Sequence, residues 1–284
     1  MSVTQDAGPG AGARGGWTLC NSGGIAYYAL AGFPNLLIAF ITRTGGVSRD
    51  KWETLNLSFG VGDSETHVRK NWDMLRAALR LPSIVTLRQT HSDIVLPIAC
   101  DKTPPETLPG DACFTGLHDL GLGVRVADCL PVYIFSADGR CAGVAHCGWR
   151  GTVARIAERT ARQMSRRFAV PLSDLHFALG PTICPACYPV GEDVVQKFSA
   201  LFPAGGKFLA QARPGHDRAR FSLDLRAANR WLLAENGMKD AGSLDRCTFE
   251  GANEFYSARR DGTTGRNLAL VALRTPTATR QEPD

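Results

Sequence analysis

An Asp-Gly dipeptide between two apolar runs places the tightest constraint on the fold of this chain. Asp138-Gly139 separates LPVYIF from CAGVAHC, and Asp-Gly is a preferred dipeptide for a two-residue hairpin turn. Counting back from that turn puts His146 opposite Pro131, with Cys129 two positions further along on the same face. Diagonal neighbours on one face lie about 7–8 Å apart, within reach of long side chains. Because Pro131 disturbs regular pairing, we expect Cys129 and His146 to meet at a bulge or a strand end.

A third side chain of the metal-binding type, His91, stands in the segment QTHSDIV between two predicted strands. With Cys129 and His146 it supplies two nitrogen donors and one sulfur donor. Three protein ligands leave one position of a tetrahedral ion open, which is typical of a catalytic zinc site rather than a structural one. The spacing matches no standard zinc motif, so the residues alone leave the alternative that each is an ordinary structural side chain.

Asp128 precedes Cys129 within VRVADCLPV, a largely apolar stretch. A carboxylate buried in such a stretch is costly unless it has a partner. One interpretation is a proton-transfer group or a partner that orients a histidine. The other is a turn residue that accepts hydrogen bonds from local backbone amides. The sequence leaves both interpretations open.

Four arginines lie in glycine-rich or turn-like surroundings: Arg43, Arg150, Arg259 and Arg260. The planar guanidinium group is suited to bidentate contact with phosphate or carboxylate. For each of them a solvated surface position is the simpler alternative. Arg150, four residues after His146, is the strongest candidate for binding an anionic substrate.

Cys184 and Cys187 form a single CxxC in ICPACYPVG. One CxxC without a second pair is weak evidence for a zinc ribbon. A thioredoxin-like motif needs a βαβ context, which the surrounding sequence does not show. Two ordinary loop cysteines are therefore the simpler interpretation.

Hydrophobic periodicity predicts several strands. Two buried strands flank the turn GFPN, and two more flank His91. Leu122, Val124 and Val126 alternate with other residues, as in a half-buried strand. Further strands follow in LHFALGP and in the C-terminal NLALVALR.

Helical spacing marks the segments between these strands. Ser64 is the predicted N-cap of SETHVRKNWDMLRAAL, whose apolar stripe is Val68, Trp72, Leu75 and Leu79. After GWRG we expect one helix with a stripe over residues 153–168, and Gly237 ends the helix in LDLRAANRWLLAEN. Helices mixed irregularly with strands and hairpins indicate an α+β fold with mixed sheets rather than a βαβ repeat.

Length and composition bound the class of protein. A chain of 284 residues suits one compact domain, which we expect over residues 17–274, between a disordered lead-in at 1–16 and a frayed tail at 275–284.

Nine irregularly spread cysteines argue against a secreted disulfide framework and favour the cytoplasm. The net charge of +5 without a basic run does not indicate a nucleic-acid partner. Glycine, proline and asparagine interrupt the uncharged segment 15–42, which argues against a membrane span.

Taken together, the motifs resemble those of the bacterial laccase-domain family, whose members are also described as multicopper polyphenol oxidases and as purine nucleoside phosphorylases. The resemblance extends from about Phe40 to Leu273, and the combination of ADC with HxGWRG is highly specific. The segments that carry it are TRTGGVS, LNLSFGVGD, RQTHSDIV, GDACFT, VADCLPV, AHCGWRGT, GPTICPACYPVGEDV, LDLRAANR and FYSARRDGTTGRNLALV. The resemblance implies two packed mixed sheets with helices outside, in α/β/β/α layers.

The same resemblance implies a zinc ion held by His91, Cys129 and His146, with copper as the alternative metal. It implies phosphorolysis of adenosine, inosine, guanosine and methylthioadenosine, together with deamination of adenosine. The partners are then a purine nucleoside and phosphate.

Within this hypothesis Asp128 and Cys129 are catalytic, with Asp128 moving protons, and Arg43 and Arg150 hold the anion. The sequence does not distinguish a monomer from a homodimer.

Three positions depart from the family pattern. Cys147 stands where alanine is usual, Pro189 replaces a glutamate, and Ala258 replaces an aromatic residue. None of these changes removes a predicted metal ligand. A thiol beside His146 could alter the metal preference, because soft thiolates bind copper(I) as well as zinc.

Three other functions remain open from the sequence. A copper-dependent polyphenol oxidase is one, although the chain lacks the histidine-rich clusters that several copper ions require. A second is a hydrolase with Cys129 as nucleophile and His146 as base, acting in peptidoglycan editing, a role linked to relatives. The third is a metal-binding module without catalytic activity.

Overall fold

The computed structural model describes residues 16–100, 107–202, 208–211 and 221–276. The lead-in predicted for 1–16 and the tail predicted for 275–284 lie almost entirely outside these residues. Among the described helices, none is both long enough and apolar enough to cross a membrane.

Strands make up most of the regular structure. They are β1 Trp17–Ser22, β2 Ile25–Leu30, β3 Leu36–Ile41, β4 Ser83–Thr86, β5 Val95–Pro97, β6 Ala112–Thr115, β7 Leu120–Val126, β8 Leu130–Ser136, β9 Ala142–Cys147, β10 Leu175–Leu179, β11 Pro189–Val190, β12 Leu209–Gln211, β13 Phe221–Leu223, β14 Lys239–Ser243 and β15 Asn267–Leu273. The α-helices are α1 Glu65–Leu79, α2 Trp149–Val153, α3 Ile156–Phe168, α4 Glu192–Leu201, α5 Leu225–Glu235 and α6 Ala258–Asp261. Single-turn 3-10 helices span Asp50–Trp52, Phe59–Val61, Leu172–Asp174 and Pro185–Cys187.

Two six-stranded mixed sheets form the centre of the fold. Their strand orders are β1-β2-β3-β15-β7-β4 and β14-β10-β8-β9-β6-β5, and a small third sheet has the order β11-β13-β12. In the first sheet β4 pairs with β7 in parallel, whereas β7 and β15 are antiparallel. In the second sheet β5–β6 and β10–β14 are the parallel pairs. The predicted α+β fold with two mixed sheets is confirmed.

Three apolar clusters stack the molecule into the predicted α/β/β/α layers. One cluster lies between the sheets and includes Phe40 of β3 and Tyr133 of β8. A second joins the outer face of the first sheet to α1, through residues such as Trp72. The third packs α3, α4 and α5 on the outer face of the second sheet. Burial of these faces is the main favourable term in folding.

Strand β7 differs from the half-buried strand that its alternation predicts, because all seven of its residues are buried. One face carries Leu122 and Val124, which pack between the sheets. The other face carries glycines, and neighbouring side chains cover it closely. A Cβ at Gly123 would lie 2.8 Å from Leu268 Cδ1. Glycine on this face therefore reflects close packing rather than exposure to solvent.

Helix α1 follows its prediction, since Val68, Trp72, Leu75 and Leu79 are all buried. Ser64 occupies the N-cap position, but its side chain makes no capping hydrogen bond. Gly237 follows α5 with a φ of 75°, as predicted for the residue that ends a helix.

The single helix predicted after GWRG is wrong, because the chain forms α2 and then α3. Arg155 between them has a φ of 59°, and this left-handed backbone conformation cannot continue a right-handed helix. The predicted apolar stripe still packs inward, with Ile156, Ala157, Ala161 and Met164 buried.

The β8–β9 hairpin has the predicted register. Pro131 pairs with His146, and Leu130 pairs with Cys147. Cys129 precedes the first residue of β8, so the predicted meeting point of Cys129 and His146 lies at a strand end. The loop between the strands is longer than the predicted two-residue turn, since β8 ends at Ser136 and β9 begins at Ala142, but Asp138-Gly139 lies within it and the register is unchanged. This register places His146 within a strand and Cys129 just before the start of its partner strand.

Candidate metal centre

The side chains of His91, Cys129 and His146 converge. One ligand atom from each residue lies within 4.8 Å of the other two. The two imidazole rings lie 4.9 Å apart between centroids, with an angle of 69° between their planes. His146 is buried in β9, Cys129 is partly buried, and His91 is exposed. One thiolate and two imidazoles at this separation match the donor set of a zinc site with one open position.

Unusual backbone conformations present two of these donors. His91 has a φ of 57°, and Asp128, immediately before Cys129, has a φ of 97°. Non-glycine residues in this region cost free energy, and such residues concentrate at functional sites.

Gly148 leaves the room that the cluster needs. A Cβ at this position would lie 2.9 Å from Cys129 Sγ and 3.6 Å from His91 Cδ2. Its φ of −67° is open to any residue, so glycine is required here by the space and not by the backbone conformation. The glycine of the HCGWRG segment therefore belongs to the centre.

A buried carboxylate, Asp111, holds the two histidines in place. Its Oδ1 accepts hydrogen bonds from the His91 backbone N–H at 3.0 Å and from His146 Nδ1 at 2.9 Å. Its Oδ2 accepts further bonds from the backbone N–H groups of Thr90 and Ser92 and from the Ser92 hydroxyl. Because Nδ1 of His146 donates to the carboxylate, Nε2 is the nitrogen that faces the cluster, and it carries a lone pair for a metal when the ring is neutral.

Asp111 is a site residue that sequence reasoning missed, although it stands in the GDACFT segment. Burial alone raises the pKa of its carboxyl, but hydrogen bonds from His146 and Ser92 outweigh burial and hold the pKa well below its usual range. The available signal was an aspartate directly before the apolar run ACFT, where burial of an unpartnered carboxylate is costly.

Cys129 and His146 shift the pKa values of each other in the directions that favour a thiolate beside an imidazolium. Burial raises the pKa of the Cys129 thiol, but His146 and His91 lower it to about 6. Burial lowers the pKa of His146, whereas Cys129 and Asp111 raise it to about 9. The thiolate is the form of cysteine that binds metals and attacks electrophiles.

The cluster opens on a cavity of about 700 Å³. Four arginines line this cavity: Arg88, Arg125, Arg259 and Arg266. Tyr188 contributes an aromatic ring, and Asp128 contributes the carboxylate among the lining residues. Such a lining suits an anion next to an aromatic group. Of the four arginines, only Arg259 was among the sequence candidates.

The Asp128 carboxylate lies in the cavity wall and is fixed from two sides. Oδ1 accepts a hydrogen bond from Thr248 Oγ1 at 2.7 Å, and Oδ2 accepts one from the Arg259 backbone N–H at 2.7 Å. Its carbonyl oxygen accepts bonds from Thr182 Oγ1 and the Ile183 N–H. The structure therefore brings Asp128 to the centre with its carboxylate already oriented.

The two predicted anion-binding arginines, Arg43 and Arg150, are not among the residues that line this cavity. Arg43 lies in a separate depression and donates hydrogen bonds to the carbonyls of Glu53 and Ala252. Arg150 is exposed and lies over the ring of Trp149, 4.4 Å from its centroid. The role of both residues in anion binding stays a prediction.

Residues 37–274 match the family described as multi-copper polyphenol oxidoreductase laccase. The chain belongs to this family. A purine nucleoside phosphorylase from Deinococcus radiodurans is 39% identical over 246 residues, which cover 84% of this chain and 91% of that protein. An adenosine deaminase from an unknown prokaryotic organism is 35% identical over 247 residues, with 82% and 92% covered.

The crystal structure of YlmD from Geobacillus stearothermophilus has the same fold as this laccase-family chain. The TM-score is 0.81 at 29% sequence identity, and the match covers 88% of this chain and 96% of that one. The family resemblance predicted from the motifs is therefore confirmed by both sequence and structure.

With zinc as the probe, Gly148→Ala is expected to weaken metal binding at the cluster of this laccase-family protein roughly tenfold to a hundredfold, because overpacking costs about 1–3 kcal/mol. Competition with a chromophoric chelator measures the zinc affinity. Gly60→Ala is the matched control, since Gly60 lines the same cavity and a Cβ there meets nothing within 4 Å. Equal zinc affinities for the two variants would contradict the close packing inferred around Cys129.

With zinc as the probe, Asp111→Asn is expected to weaken metal binding at the cluster about tenfold to a hundredfold, the usual effect of removing the group that orients a histidine ligand. The same chelator competition applies, with thermal unfolding to verify that the variant is folded. Asp73→Asn, an exposed change of equal charge on α1, serves as the control. A folded Asp111→Asn variant with wild-type zinc affinity would show that Asp111 does not orient His146.

Proposed function

We propose that this protein is a zinc-dependent purine nucleoside phosphorylase that acts on adenosine, inosine, guanosine and methylthioadenosine, and that it also deaminates adenosine. One observation carries the proposal: the cluster of His91, Cys129 and His146 opens on a cavity lined by four arginines. Donors for a metal and for phosphate thus face the same space. The names of the relatives from Deinococcus radiodurans and from the unknown prokaryote support this choice of reactions.

In phosphorolysis a phosphate oxygen forms a bond to the anomeric carbon of the ribose. The bond from that carbon to the purine nitrogen breaks, and its electron pair passes to the purine, which takes up a proton. The products are ribose 1-phosphate and the free base. A zinc ion on the cluster would supply Lewis-acid chemistry beside the arginines.

The arginines differ in how they are held, which suggests a division of roles. The Arg88 guanidinium has no hydrogen bond or ion pair with the other residues that the structure describes, so it is available to phosphate. Arg125 donates to the carbonyl of Leu87, and Arg266 donates to the carbonyls at 264 and 265. These two are therefore preorganised, and their positive charge favours an anion in the cavity.

Tyr188 and Asp128 complete the proposed substrate site. The Tyr188 ring lines the cavity, with the Arg259 guanidinium 5.0 Å from its centroid, and offers an aromatic surface for a purine. Asp128, next to Cys129, is the proposed proton-transfer group. Its two hydrogen bonds fix the carboxylate, which limits the reorganisation needed when a substrate binds.

A cysteine–histidine hydrolase is the second candidate function. The lowered pKa of Cys129 next to His146 favours it, because a thiolate paired with an imidazolium is also the resting state of a cysteine nucleophile. The two candidates differ in their need for a metal and for phosphate, so one set of assays separates them.

Incubation of the purified protein with inosine is expected to release hypoxanthine and ribose 1-phosphate only when phosphate is present. Chelator treatment should abolish the release, and zinc under copper-free conditions should restore it. Cys129→Ala should lose the activity and the zinc ion held by this cluster. With adenosine, ammonia release reports deamination separately.

Absence of phosphate-dependent base release would overturn the proposed phosphorolysis. Cleavage of a peptidoglycan fragment by the metal-free protein, lost in Cys129→Ala and without nucleoside turnover, would favour the hydrolase instead. Oxidation of a phenol that requires added copper, without nucleoside turnover, would favour a polyphenol oxidase.

Arg88→Ala is expected to raise KM for phosphate by about tenfold or more, the cost of losing a charge-assisted hydrogen bond, with little change in KM for inosine. Initial rates at varied phosphate concentration measure this effect. Arg43→Ala and Arg150→Ala provide the comparison, and we expect smaller effects from both because neither side chain lines the cavity. A larger effect of Arg43→Ala than of Arg88→Ala would place the phosphate outside the cavity.

A further inference from the structure

Three cysteines that the proposed reaction does not use lie together in a second cluster. Cys184, Cys187 and Cys247 place their Sγ atoms within 4.8 Å of one another. All three are free thiols and partly buried. Cys247 lies more than fifty residues beyond the CxxC in sequence, so this partner was not evident from the motif alone.

Backbone contacts bring the three thiols close together. The single-turn helix at 185–187 closes with a hydrogen bond from the Cys187 N–H to the Cys184 carbonyl. The Cys184 N–H donates to Cys247 Sγ at 3.3 Å. A parallel bridge between Thr182 and Cys247 holds the two segments side by side. A CxxC turn whose backbone amide donates to a third sulfur is preorganised to surround an ion with thiolates.

We propose that Cys184, Cys187 and Cys247 form a second zinc site, separate from the one at His91, Cys129 and His146. Three thiolates suit zinc, and such sites with a fourth ligand are structural rather than catalytic. A water molecule would complete the coordination, or the Glu250 carboxylate after a movement of its side chain, since its Oε1 lies 3.6 Å from Cys187 Sγ but is not within 4.8 Å of all three sulfurs. Binding releases the thiol protons, because only thiolates act as ligands.

The separations fit this ion with little movement. Sulfurs around a tetrahedral zinc with bonds of about 2.3 Å lie about 3.8 Å apart. The observed limit of 4.8 Å between the Sγ atoms requires each to shift by less than a bond length. Partly buried side chains in loops can make such a shift by small rotamer adjustments.

The second site would fix one wall of the cavity. The segment that carries the CxxC also carries Ile183 and Tyr188, both of which line the cavity. The segment after Cys247 carries Thr248, whose hydroxyl donates to Asp128. An ion bound to both segments would keep the Tyr188 ring and the Asp128 carboxylate in fixed positions relative to each other.

Metal analysis of the full-length protein, reconstituted with zinc in the presence of a reductant, tests this site. We expect two zinc ions per chain in the wild type. The double variant Cys184→Ser, Cys187→Ser should retain one, held at the first centre. Cys129→Ala should also retain one, at the second centre.

Cys20→Ser is the matched control for the loss of a partly exposed thiol, and it should retain both ions. The proposal is overturned if the wild type binds a single zinc ion that Cys129→Ala abolishes. It is equally overturned if the double serine variant is folded and still binds two.

Thiol protection gives a test that requires no variant to fold. Zinc added to the metal-stripped wild type should slow alkylation of Cys184, Cys187 and Cys247, measured by peptide mass spectrometry, while alkylation of Cys20 stays unchanged. Equal alkylation of the three with and without zinc would overturn the site. A disulfide among them in the reduced, zinc-loaded protein would also overturn it, because a disulfide sulfur is not a thiolate ligand.

Discussion

The hydrogen bonds to the buried carboxylate of Asp111 hold together the two histidines of the cluster of His91, Cys129 and His146. The carboxylate is fully buried, immediately before β6, and accepts hydrogen bonds from three consecutive backbone amides and from the His146 ring. Those amides belong to the turn that presents His91 with a left-handed backbone. Backbone N–H groups are strong donors that need an acceptor, so one carboxylate both stabilises the turn and sets the orientation of the second histidine.

A second carboxylate, Asp128, has a matching role on the other side of the cluster. Its position next to Cys129 in the chain ties the third donor to Thr248 and to the backbone of Arg259. Each carboxylate therefore joins segments that are distant in sequence, and in doing so it positions one of the donor side chains. The cavity arginines supply positive charge where the cluster opens, so the three donor side chains and the arginines face the same space.

Local signals in the sequence predicted part of this arrangement. The turn dipeptide fixed the pairing of His146, and hence its nearness to Cys129, because register in a hairpin follows from turn geometry. His91 came from the family resemblance, since no local pattern brings it to the hairpin. Asp111 was missed because it acts through contacts between distant segments. Arg88 was missed because only the folded chain places it in the cavity wall. The buried second face of β7 was missed for the same reason, since close packing of neighbouring side chains leaves no periodic signal.

We expect a metal ion to bind between the three donors while Asp111 holds His146. An anomalous difference map from crystals grown with zinc should show a peak about 2.3 Å from the Cys129 sulfur and about 2.0–2.1 Å from Nε2 of His146 and a ring nitrogen of His91. The absence of a peak there, or a His146 ring turned to bind through Nδ1 and away from Asp111, would contradict it.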